Sequence, residues 1–145
     1  MKKIWQTLFI TFFLIGCVAK VSDIPKGYIS KNEYFSSNFQ DYTDYAKYVY
    51  KENVVINNNE YKIISNIEID DIKEYFVNFE DVMISQEREK EYDFDINLIT
   101  EGDYVKIKTK EGKEIGDSKY GKFDDYSVYF FDVETLTLYY IHNNI

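Results

Sequence analysis

The stretch Tyr126-Ser127-Val128-Tyr129-Phe130-Phe131, followed by Asp132-Val133-Glu134-Thr135 and then by Leu136 to His142, decides the fold. Its first six residues are apolar on both sides of the chain except at Ser127, as in a central strand covered on both faces. Asp132 can accept the amide hydrogens of a tight turn. Leu136 to His142 then returns as the last strand. A connection this short makes the pair antiparallel.

Working outward, Tyr104 to Thr109 sets Val105 and Ile107 opposite Lys106 and Lys108, and turns flank it at Glu101-Gly102-Asp103 and Lys110-Glu111-Gly112-Lys113. Upstream, Tyr92, Phe94, Ile96 and Leu98 alternate with Asp93, Asp95 and Asn97, which predicts a half-buried strand. Gly116 to Asp125 is mostly polar and reads as the longest loop. The first half of the chain carries a different period. Ser30-x-x-Glu33 matches a capping box, and Phe35, Phe39, Tyr42, Ala46 and Val49 follow at helical spacing, predicting a helix over about 33–52. Val54-Val55-Ile56 and Tyr61 to Ile64, around Asn57-Asn58-Asn59, read as a short hairpin. Asp71-x-x-Glu74 is a second capping box, and Ile72, Phe76, Phe79 and Met83 predict a helix over about 71–83. Residues 85–91 alternate in charge and read as a solvated segment. The expectation is an α+β fold in one domain, residues 30–145: two helices from the N-terminal half packed on an antiparallel sheet made mainly by the C-terminal half.

The chain begins differently. Met1-Lys2-Lys3 is basic, Ile4 to Ile15 is almost wholly apolar, and Leu14-Ile15-Gly16-Cys17 closes the run. The apolar run is shorter than the roughly 20 residues a membrane span needs. Leu14-Ile15-Gly16-Cys17 resembles the lipobox of bacterial lipoproteins. That resemblance implies a signal peptide over 1–16, cleavage after Gly16, diacylglycerol on the Cys17 sulfur, and an acyl chain such as palmitate on the new amino terminus. It places the protein in the cell envelope, membrane-bound through Cys17, with residues 17–29 as lipidated Cys and tether. Val18 beside that Cys, rather than Asp, favours the outer membrane facing the periplasm if the host has two membranes. Two or three acyl chains hold firmly where one binds reversibly.

Composition narrows the chemistry. The 145 residues carry a formal charge of −9, and removing Lys2 and Lys3 with no acid takes this to −11. Such a charge argues against nucleic acid as a partner. Cys17 is the single cysteine and His142 the single histidine, so a zinc site lacks ligands and no cofactor is expected. No GxSxG elbow accompanies His142, and Asp93-x-Asp95-x-Asn97 departs from a calcium loop at Leu98 and Tyr104. The fifteen tyrosines are the compositional oddity. Tyrosine suits recognition surfaces, although an A/T-rich codon bias would also supply it. The expected contact residues are Tyr120, Asp124, Asp125, Tyr126, Tyr129 and Tyr139, in and around the 116–126 loop and the last hairpin. Tyr50 is a further tyrosine that the core does not obviously need.

The leading expectation is a non-catalytic binding module that captures or blocks a basic macromolecule at the envelope. Small acidic lipoproteins acting as inhibitors or immunity factors have a similar profile. An accessory subunit of an envelope assembly is the alternative, and a carboxylate-based hydrolase is third.

Overall fold

The computed structural model describes residues 23–36 and 42–144. In chain order the elements are β1 (Ser30–Tyr34), β2 (Tyr42–Val49), β3 (Lys62–Ile63), α1 (Ile69–Ser85), β4 (Tyr104–Thr109), β5 (Glu114–Ile115), β6 (Ser118–Lys119), β7 (Asp125–Asp132) and β8 (Thr137–Asn144). One antiparallel sheet has the order β1-β2-β8-β7-β4-β3, and β5-β6 is a separate small ribbon. The class is α+β as expected, with the larger share of the sheet drawn from the second half of the chain.

The β7–β8 hairpin is the centre of the sheet. Asp132 Oδ1 accepts from the amides of Glu134 at 2.9 Å and Thr135 at 3.3 Å, closing the turn. Pairing then runs from Asp132↔Thr137 to Asp125↔Asn144. Side chains alternate between two cores. Val128, Phe130 and Ile141 join Tyr45, Phe76 and Phe79 beneath α1. Tyr129, Phe131, Leu138 and Tyr140 join Tyr48, Tyr50 and Tyr61 on the opposite face.

The helix expected over 33–52 is corrected. Residues 30–34 and 42–49 are the strands β1 and β2, and 37–41, with Phe39, lie outside the described residues. The physical reason is coverage of both faces. Within β2, Tyr45 enters one core while Ala46 and Tyr48 enter the other. Burial on both faces erases the strand's alternation and mimics a helical stripe. Glu33 is not a helix cap either: its carboxylate accepts from Tyr48 Oη at 2.8 Å and Lys31 Nζ at 2.6 Å.

The second helix is found, and it starts earlier than Asp71. A turn over Asn66–Glu68 leads into α1, with the Glu68 carboxylate accepting from Ser65 N at 3.1 Å and Ser65 Oγ at 2.6 Å. Asp70 and Asp71 in the first turn complement the helix dipole. Two further expectations are corrected. Residues 92–98 form no strand. The alternation correctly sends Tyr92, Phe94, Ile96 and Leu98 inward, but Asp95 Oδ1 accepts from Asn97 N at 2.9 Å and starts a short 3-10 turn. Local carboxylate-to-amide bonding of this kind competes with a ladder. In the 54–64 segment, Asn53 Oδ1 takes the amides of Val55 and Ile56 at 3.0 Å, so the first arm is a loop and only Lys62–Ile63 pairs, with β4.

The described part of the expected tether is packed down. Ile24 sits on the second core, Tyr50 Oη donates to Pro25 O at 2.9 Å, and Ile29 N donates to Val49 O at 2.7 Å. Residues 23–29 thus form a strap across the face opposite α1. Cys17 lies outside the described residues.

Candidate functional site

The acidic outer face of α1 and the 120–124 loop form the site. Ile72, Tyr75, Phe76, Phe79 and Met83 point into the core. This leaves Asp70, Glu74, Val77, Asp81 and Ile84 on the far side, continuing the line of Ile67 in the preceding turn. The spacing of three and four residues is that of one helix face. Ile67 is 88% exposed, Val77 46% and Ile84 54%, so acids and bare apolar side chains alternate along it. Glu68 pairs with Lys62 and Glu74 with Lys122, each at 2.5 Å. Asp70, Asp71, Glu80 and Asp81 form no ion pair among the described residues. Lys62, with Ser65, holds the Glu68 carboxyl down to about 2, so it stays ionised.

The loop closes against this face. Lys122 Nζ lies 5.2 Å from the ring centres of both Tyr75 and Phe123, and Glu74 holds its ammonium above the usual lysine range. Phe123 meets Tyr75 edge-on at 5.5 Å. Asp124 is exposed, but its Oδ2 accepts from Gly121 N at 2.6 Å and shapes the loop. A shallow groove of about 460 Å³ results, lined by Asp70, Lys73, Glu74, Val77, Asn78, Asp81 and Phe123.

The expected contact residues divide. Tyr120 is half-buried, with the Lys110 ammonium 5.6 Å from its ring, and with Asp124 it stays at the surface. Asp125 is buried and paired with Lys110. Tyr126 is buried, and its hydroxyl donates to Asn78 Oδ1 at 2.8 Å. Tyr129 is buried on the opposite face, 5.2 Å from the Lys106 ammonium. Tyr139 is half-buried against Phe94 at 4.9 Å. The expectation that Asp125, Tyr126 and Tyr129 present a contact surface is therefore corrected: each is held inside by a partner that satisfies its polar group. Tyr50 also fits the core, on the second face. Sequence reasoning missed Ile67, Val77, Asp81 and Ile84. The signal was there, since Val77 and Ile84 fall off the stripe that Ile72, Phe76, Phe79 and Met83 define.

His142 lies in β8 and is half-buried. Its Nδ1 lies 3.2 Å from both Ser127 Oγ and Tyr140 Oη, while buried Nε2 has no partner among the described residues. Burial pushes its pKa below the usual histidine value. Asp93 accepts from Tyr45 Oη at 2.7 Å and pairs with Lys47, which ties it to structure. Among the described residues no three His, Cys, Asp or Glu side chains converge as a metal requires, and no helix is long and apolar enough to cross a membrane. Compared with protein-family models, curated proteins and solved structures, the chain matches none.

Proposed function

We propose that this chain is a lipid-anchored envelope protein that captures a basic macromolecule on the outer face of α1, without catalysis. The observation that carries the reading is the line of exposed Ile67, Val77 and Ile84 among Asp70, Glu74 and Asp81 on the outer side of α1 and its leading turn, with Asp70 and Asp81 in no ion pair among the described residues. Acids alone would be an ordinary solvated surface. Apolar side chains between them supply contact area that a partner can desolvate. The negative field speeds encounter with a cationic partner. Phe123 and Tyr120 extend the contact at the loop end, and the anchor on Cys17 raises local concentration where the partner arrives.

The test is binding from an envelope extract to the full lipidated chain across a salt series. Recovery of a basic protein, weakening as salt rises and lost in the Glu80→Lys/Asp81→Lys variant, supports the reading. Recovery of nothing in low salt, or of a partner indifferent to both salt and the substitutions, contradicts it.

A further inference from the structure

We infer that the strap side of the domain, bearing Tyr28 and Ile29, rests on the lipid surface that holds the anchor, so that α1 points away from it. This rests on the anchored reading of Cys17 proposed above. Three observations carry it.

The first is where the chain enters the domain. The Asp23 carboxylate sits between the ammonium groups of Lys106 and Lys108, and Tyr129 Oη donates to it at 3.5 Å. Lys106 and Tyr129 belong to the face opposite α1, because Tyr129 alternates with Val128 and Phe130, which pack beneath the helix. The strap is then fastened at Pro25 O by Tyr50 and at Ile29 N by Val49.

The second is reach. Five residues lie between Cys17 and Asp23, which makes six steps along the chain. They span about 20 Å fully extended, and a flexible coil of that length averages about 12–15 Å. The outer side of a helix packed on a sheet lies roughly 15 Å beyond the sheet, here on the far side from Asp23. Turning α1 to the lipid would require the link to run round the sheet at full stretch. Laying the strap down requires almost no extension.

The third is surface chemistry. Tyr28 is 40% exposed and the next residue, Ile29, 57% exposed, and the Tyr28 ring lies 5.2 Å from that of Tyr48 on the second core. Lys26 is exposed, and the Lys31 ammonium lies 5.9 Å from the Tyr28 ring centre. Tyrosine flanked by lysine suits the headgroup level, where the ring sits at the interface and the ammonium stays in water. The unpaired acids of α1 are on the other side, beyond the roughly 8 Å over which anionic headgroups would repel them. The result is a domain that presents its capture face outward.

The experiment uses the full chain, purified with its lipid and checked by intact mass. A nitroxide is attached at Ile29→Cys or at Val77→Cys, both exposed sites, and the protein is placed in vesicles of phosphatidylcholine and phosphatidylglycerol. Relaxation by oxygen, which concentrates in lipid, is compared with relaxation by a water-soluble nickel chelate. The oxygen-to-nickel ratio is expected to be several-fold higher at position 29 than at position 77. Equal ratios, or a higher ratio at 77, overturn the orientation while leaving the anchor intact. An intact mass showing unmodified Cys17 overturns the anchor, and the orientation with it.

Discussion

Tyr126 shows what decides whether a tyrosine recognises or packs. Its ring is enclosed beneath α1, 5.0 Å from that of Tyr75, and its hydroxyl reaches both Asn78 Oδ1 and Tyr75 O. Tyr126→Phe should cost about 1–2 kcal/mol of stability, because buried acceptors lose their donor. Chemical denaturation reads the loss, and partner binding should not change. Asp23 makes a second case. The Lys108 and Lys106 ammonium groups hold its carboxyl below the usual aspartate value. A lowered folded pKa stabilises the folded state above the unfolded value and is lost on acidification. The strap should therefore loosen below about pH 4, seen as a falling protection factor at the Ile29 amide once the intrinsic exchange rate at each pH is divided out; an unchanged protection factor down to pH 3 would contradict it. His142 follows the same direction higher on the scale. Burial lowers its folded pKa, so the protein should lose stability as pH falls below about 6.5, and His142→Gln should flatten that slope.

At the scale of elements, α1 divides its labour by face. Asp81 and Glu80 are exposed and carry no ion pair among the described residues, so their reversal should leave stability within about 0.5 kcal/mol. The Glu80→Lys/Asp81→Lys variant should weaken capture by about tenfold or more, or about 1.4 kcal/mol. Val77→Ser should weaken it without changing its salt dependence, and isothermal titration separates the two effects. The same helix was legible in the sequence because one signal governed it: a single stripe, buried on a single side. The β7–β8 hairpin was legible for a similar reason, since Asp132 fixes its turn locally. β2 was not legible. Tyr45 and Ala46 enter opposite cores, and no local period records that. Residues 92–98 gave their inward face correctly and their conformation wrongly, because alternation reports burial and not a ladder partner. For the site, polarity marked Gly116 to Asp125 as a loop, which holds for 120–124, but Ser118–Lys119 within it pairs with Glu114–Ile115 as a ribbon that polarity does not record. The buried tyrosines were not, because their hydroxyl partners come from distant parts of the chain.

At the scale of the whole molecule, the sheet is a partition. One face carries α1 and its unpaired acids. The other carries the strap, whose Asp23 is held by Lys106 and Lys108. In the proposed arrangement the capture face of α1 and the anchor at Cys17 lie on opposite sides of this sheet, so a cationic partner meets α1 away from the headgroups. The proposed capture face has Val77 at its contact. The most direct measurement is photo-crosslinking in intact cells from a photoreactive residue placed at Val77. An adduct with a basic protein is expected, and it disappears in the Glu80→Lys/Asp81→Lys background. No adduct at that position, or one with an acidic protein that survives the charge reversal, would contradict it.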